Sequence, residues 1–222
     1  MAIKYGITAG TPFDTKLGEI FFKQKGLEVL SAHISENAEE QNRLQYISPK
    51  KLEKKTIKTI KNLKKDGADL IIIYCNSLSA VLEVEKISQL ADIPILTPLD
   101  IYKSLNLTSL DKLALLAANS QSAAKIENII AEKNPHLEFV SAGVMPIIKA
   151  IEAQKEPAAI LAEDGLKELL IAFDSMGAEA VLLGCTHLPY LKAEIAKYFE
   201  IIIDPADKIK VMAEMTLATK RT

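Results

Sequence analysis

Short apolar runs alternate with longer stretches of helical periodicity from one end of the chain to the other. Runs at residues 4–8, 28–31, 70–74 and 95–99 predict strands. Between them the pattern predicts a loop over 9–15, a helix to about residue 25, a helix in the lysine-dense stretch 50–65 and another over 77–90. In the lysine-dense stretch Leu52, Thr56, Ile60 and Leu63 recur at helical spacing, so the lysines cover the solvated face of an amphipathic helix. The polar segment 33–48 loses regular periodicity and is expected to be an active-site loop.

After residue 110 the scheme starts again. Strands are expected over 113–117 and 138–142, with helices over 120–132 and 147–154, and a further helix opened by Pro157 that ends before Gly177. A run at 181–184 delivers Cys185, followed by a helix over 189–198, a last strand at 201–204 and a final helix over 205–218. This alternation is the pattern of an α/β fold with mostly parallel sheets flanked by helices. Each half repeats a strand, helix, strand, helix, strand and cysteine progression, a weak internal repeat. Two pseudo-symmetric domains are expected, residues 1–97 closed by 205–222 and residues 98–204. Ligands of such sheets gather beyond the carboxyl ends of the strands, so the active site is expected in the cleft between the two domains.

Composition narrows the function. With 49% apolar residues among 222, the chain can bury a substantial core. The amino-terminal residues carry no signal-peptide pattern and no apolar run approaches membrane-spanning length, so a cytoplasmic protein without a membrane partner is expected. A net charge of -2 argues against nucleic acid as a partner. Three scattered histidines offer no metal-ligand spacing, and no Gly-x-Gly-x-x-Gly follows the first strand. Gly6 and Gly10 are therefore expected to serve close backbone approach.

The chain holds two cysteines, and their settings match: Asp69-Leu-Ile-Ile-Ile-Tyr-Cys75-Asn-Ser, and Glu179-Ala-Val-Leu-Leu-Gly-Cys185-Thr-His. Each should stand at the carboxyl end of a buried strand and before a helix, whose amino terminus favours thiolate over the free thiol's usual pKa of about 8.5. Two such thiols approaching one pocket from opposite sides suit racemisation or epimerisation. One removes a proton from carbon, the other returns it on the opposite face, and the roles exchange in the reverse direction. Asn76, Ser77, Thr186 and His187, with nearby backbone amides, are candidates to hold a substrate carboxylate or its enolate-like form.

Cys75-Asn-Ser-Leu-Ser-Ala80 resembles the Cys-Asn-Thr-Ala-Ser motif of the aspartate/glutamate racemase superfamily, and Gly184-Cys-Thr-His-Leu-Pro189 resembles its Gly-Cys-Thr-His-Tyr-Pro motif. The resemblance extends over essentially the whole chain. It implies a cofactor-independent amino-acid racemase that needs no pyridoxal phosphate, metal or nucleotide and forms a homodimer. It also implies that Cys75 and Cys185 alternate as base and acid, that Asn76, Ser77 and Thr186 bind substrate, and that His187 assists Cys185. Glu152 falls near an acidic residue that assists catalysis in glutamate racemases.

Departures from that pattern bear on the substrate. Where glutamate racemases carry Asp-Ser-Gly after the first strand, this chain reads Thr8-Ala9-Gly10-Thr11, which makes Thr8, Gly10 and Thr11 candidate substrate contacts and Asp14 the candidate acidic helper of Cys75. The family's Pro-Tyr-Gly motif is replaced by a segment presenting Arg43, a candidate for a second carboxylate. In the second half Ala118, Asn119, Ser120 and Gln121 stand where threonines are expected, with Asn119 the candidate contact. An acidic amino acid such as aspartate or glutamate is the expected substrate. Hydantoin racemisation, dicarboxylate decarboxylation or cis-trans isomerisation are the alternatives within the superfamily, and a thiol redox or ligand-binding protein the alternative outside it.

Overall fold

The computed structural model describes residues 3–219, which divide into two compact units, residues 3–101 with 206–219 and residues 102–205. In the first unit the chain runs β1 (Lys4–Ala9), α1 (Pro12–Gln24), β2 (Glu28–His33), α2 (Ala38–Ile47), α3 (Pro49–Lys65), β3 (Leu70–Ile73), α4 (Asn76–Val81), α5 (Val84–Ala91) and β4 (Ile95–Leu96). A short helix, α6 (Pro98–Tyr102), leads out of it. The second unit continues with β5 (Lys112–Ala117), α7 (Ser120–Ala131), β6 (Glu138–Gly143), α8 (Met145–Glu152), α9 (Pro157–Glu163), α10 (Leu166–Ser175), β7 (Ala180–Gly184), a 3-10 turn at Leu188–Leu191, α11 (Lys192–Ile195) and β8 (Ile201–Ile203). The chain then returns to the first unit as α12 (Ala206–Thr219).

Each unit carries one four-stranded, all-parallel sheet, in the orders β2-β1-β3-β4 and β6-β5-β7-β8. The two orders are the same when the halves are overlaid. So are the burial patterns: β1 and β5 are half-buried at the first residue and buried at the next five, and β2 and β6 alternate identically. Even the starting ends of the sheets are tied alike. Lys4 pairs with Glu28 while Asp69 accepts its backbone N–H, and Lys112 pairs with Glu138 while Glu179 accepts its backbone N–H.

Strand β3 explains why it must be central. Its side chains alternate between two apolar layers, Ile71 and Ile73 packing with Leu52, Ile60, Leu63 and Ile87, and Leu70, Ile72 and Tyr74 packing with Phe22, Ile209 and Ala213. A strand covered on both faces reads as a continuous apolar run, which is how this one appears in the sequence. Helix α3 buries Leu52, Thr56, Ile60 and Leu63 and leaves lysines outward, as its spacing predicts.

Four segments differ from their expected form. Segment 33–48 is not a loop throughout: Asn37 caps α2 by accepting the Glu40 N–H, and the buried face is Ala38, Gln41, Leu44 and Gln45. Two glutamines on the buried face hide its periodicity from a hydrophobic-polar reading. The helix expected over 77–90 is broken where Leu82 turns extended, and that expected from Pro157 is broken at Gly165, which takes φ +79. After Cys185 the chain makes a turn and a 3-10 segment rather than one helix over 189–198.

Candidate active site

In the first unit, β1 and β3 lie side by side in parallel, so the loops that follow them meet at their carboxyl ends. Tyr74 N–H donates to Thr8 O at 2.7 Å, extending the ladder one step, and Cys75 follows as the extended residue immediately before α4. Its carbonyl accepts the Ser79 N–H at 3.1 Å and the Ser79 hydroxyl at 2.7 Å, which fixes the backbone beneath the thiol. Cys75 Sγ lies 3.5 Å from Ser77 Oγ. Thr8, Thr11, Asp14, Asn76 and Ser77 are all buried nearby in sequence or register. Thr11 caps α1, its hydroxyl accepting the Asp14 N–H at 3.2 Å, which sets Asp14 in the first turn.

Gly10 is where side-chain bulk is excluded. A Cβ there would lie 3.0 Å from Gln41 Cγ and 3.4 Å from Cys75 Sγ, so any other residue would wedge between them. Arg43 is exposed on α2, two positions from the buried Gln41, and is not brought to this cluster.

In the second unit the matching thiol has a different neighbour. Cys185 Sγ lies 3.6 Å from His187 Nδ1, and His187 Nε2 lies 3.1 Å from Glu152 Oε1. Both partners are well shielded, the His187 side chain being 4% exposed and that of Glu152 15%. A carboxylate can only accept, so Nε2 carries a proton and Nδ1 is left to face sulfur. Nδ1 can then accept a proton from the thiol or, as imidazolium, donate a hydrogen bond to the thiolate. Glu152 is the last residue of α8, the end at which the helix dipole disfavours an acidic side chain. Its contact with His187 offsets that cost. The turn holding His187 is also tied to the chain after α8, because Tyr190 OH donates to Lys155 O at 3.2 Å.

Asn119 occupies the place in the second unit that Thr11 holds in the first, capping α7 by accepting the Ser122 N–H at 2.9 Å and the Ser122 hydroxyl at 2.8 Å. Thr186 is buried between Cys185 and His187. Tyr102 is fully buried in this unit, and burial, reinforced by the charges of Cys185 and Asp204, pushes its phenol well above the ordinary tyrosine range. Sequence reasoning did not single out Tyr102, Gln41 or Gln45. A tyrosine between apolar residues reads as core, and glutamines read as surface. Among the described residues no group of three or more His, Cys, Asp or Glu side chains is placed to hold a metal ion, and no helix is long and apolar enough to cross a membrane.

Comparisons with known proteins agree with this architecture. A glutamate racemase of Acidothermus cellulolyticus is 26% identical over 133 residues, 59% of this chain but only 50% of that protein, so the chain spans half the length of the curated relative it matches. The crystal structure of glutamate racemase from Francisella tularensis in complex with D-glutamate superposes with a TM-score of 0.78 at 23% identity, covering 99% of this chain and 82% of that one. An aspartate racemase homologue from Pyrococcus horikoshii superposes with a TM-score of 0.66 at 21% identity, covering 97% and 99% of the two chains. Likenesses at that identity establish the fold. The family model described as Asp/Glu/Hydantoin racemase matches residues 26–213, a span that contains both cysteines and most of both sheets, and the chain belongs to that family.

Proposed function

We propose that the protein is a cofactor-independent amino-acid racemase in which Cys75 and Cys185 exchange the roles of base and acid at the α-carbon of a small acidic amino acid. The observation that carries this reading is the matched placement of the two thiols, each within two residues of the end of an inner strand of its own sheet, β3 or β7, and each with a polar partner two residues on, Ser77 or His187. In one direction the Cys75 thiolate takes the α-proton, the electron pair passes into the carboxylate as an enolate-like form, and the Cys185 thiol returns a proton to the other face. His187 enters this direction protonated, so that Cys185, having given up its own proton, is left as a thiolate accepting a hydrogen bond from the imidazolium that Glu152 stabilises. In the other direction the roles reverse. Asn76, Ser77 and Thr186 supply the hydrogen bonds that hold the substrate carboxylate, with Thr8, Gly10, Thr11 and Asn119 around it and Asp14 as the acidic companion of Cys75.

Glutamate and aspartate are the first substrates to test, since relatives bear both names. Either enantiomer, incubated in deuterated water with the protein, should lose optical activity and gain deuterium at the α-carbon. Serine in place of Cys75 or of Cys185 should abolish racemisation, while a single variant can still exchange the proton on one face. Undiminished racemisation in either variant, or no exchange with any amino acid of a broad panel, would refute the proposal. A hydantoin belongs in the same panel because the family description includes hydantoin racemases. We also propose a cytoplasmic homodimer, which sedimentation of the purified chain would test in its oligomeric part.

A further inference from the structure

Gln41 is 4% exposed and lies on the buried face of α2, yet its amide is only half satisfied. Gln41 Oε1 accepts the Ser35 hydroxyl at 2.8 Å, while Nε2 is buried and has no hydrogen-bond partner among the described residues. A buried donor left without an acceptor costs stability, so such a group calls for an explanation. Everything around it is fixed. Ser35 N–H donates to Gly10 O at 2.8 Å, Gln41 N–H donates to Asn37 O at 3.0 Å, and Asn37 caps the helix. Rotating the amide to bury the other end would exchange the acceptor that Ser35 now uses for a donor.

The location gives the explanation its chemistry. The point a Cβ on Gly10 would occupy is 3.2 Å from Gln41 Cδ and 3.4 Å from Cys75 Sγ, so the amide and the thiol both close on Gly10 and stand near one another. Neighbouring Gln45 is differently employed, its Nε2 donating to Ser77 O. The hydroxyl of Thr8 is a second buried polar group at this strand end without a partner among the described residues.

We infer that Gln41 is a substrate-binding residue whose Nε2 donates a hydrogen bond to a carboxylate oxygen of a ligand bound beside Cys75, with Ser35 as the positioning residue that holds Oε1 and leaves the donor end of the amide for that ligand. This rests on the racemase reading for the ligand's identity and charge, while the amide itself sets the polarity of the contact. Because Oε1 is occupied, the free end of the amide offers only donors, and the ligand group it meets must be an acceptor. The carboxylate concerned is either the one on the α-carbon or the one on the side chain.

Kinetics and equilibrium binding separate the outcomes. With aspartate, glutamate and alanine as substrates, Gln41→Glu should raise KM by about tenfold or more, because the glutamate would keep the Ser35 hydroxyl and present a negative oxygen to the ligand. Ser35→Ala/Gln41→Met removes the whole hydrogen-bonded pair and should raise KM by about tenfold with kcat within about threefold and an unchanged or higher melting temperature. Losses confined to aspartate and glutamate assign the contact to the side-chain carboxylate, and losses shared with alanine assign it to the α-carboxylate. A lowered melting temperature with unchanged KM would make Gln41 structural, and an unchanged KM in Gln41→Glu would overturn the inference while leaving the racemase reading intact. Calorimetric binding of aspartate that is lost in Gln41→Glu, in a protein that turns nothing over, would do the reverse. Wild-type protein that neither binds nor turns over any of the three would overturn both.

Discussion

Replacing Glu152 by glutamine keeps the shape of the side chain but removes its charge from the 3.1 Å contact with His187 Nε2. The amide oxygen can still accept the same proton, so what is lost is the charged part of the interaction. With the His187 side chain 4% exposed and that of Glu152 15%, water screens the pair only weakly. A hydrogen bond to a charged group is worth about 1.5–3 kcal/mol against about 0.5–1.5 kcal/mol for a neutral one, so the glutamine forfeits about 1–1.5 kcal/mol. That energy is expressed only when His187 is an imidazolium, the state that accompanies a Cys185 thiolate. If this state lies on the path to the rate-limiting transition state, kcat/KM falls about 5- to 13-fold at about 1.36 kcal/mol per factor of ten. Two enantiomers in water have an equilibrium constant of unity, so kcat/KM must fall by the same factor from either side. The split between kcat and KM need not be the same, because only one of the two thiols has lost its support. Circular dichroism followed from each pure enantiomer, with melting curves to confirm folding, measures all of this. A folded Glu152→Gln protein within about threefold of wild type would refute the relay from Glu152 through His187 to Cys185.

Two further outcomes test the fold itself. Leu52→Ala on the buried face of α3 should lower unfolding free energy by about 2–5 kcal/mol, whereas Lys58→Ala on its exposed face should change it by no more than about 0.5 kcal/mol, both read from urea titrations. Tyr102 has a folded pKa raised by burial above its unfolded value, so its contribution is complete below about pH 10 and is lost as pH rises from there through the folded value. Unfolding free energy measured upward from pH 9 should therefore fall more steeply in wild type than in Tyr102→Phe, and equal slopes would show that Tyr102 ionises as freely in the fold as out of it.

The order of strands and helices was legible because parallel strands buried on both faces leave continuous apolar runs, as at 70–74, and because α3 separates lysines from apolar residues cleanly. The placement of Cys75 and Cys185 just after β3 and β7 was legible because an apolar run leading to a cysteine and a small polar residue occurs twice. What escaped is of two kinds. Helix α2 buries Gln41 and Gln45, and a rule that counts glutamine as polar surface cannot see a helix whose inner face carries amides. The breaks at Leu82 and Gly165 interrupt helical periodicity for only one or two residues, less than a turn, so the pattern runs across them. The contact between His187 and Glu152 joins residues 35 positions apart, and only tertiary structure brings them together.

The return of α12 to the first unit sets an order of events during synthesis. Residues 102–205 are continuous and can complete their own sheet and core as soon as they leave the ribosome. The first unit cannot, since Phe22, Ile72 and Tyr74 wait for Ile209, Ala213 and Leu217 to cover them. Until α12 has been made, one apolar face of the older half stands open, and a nascent chain stalled before residue 206 exposes it to aggregation and to chaperones.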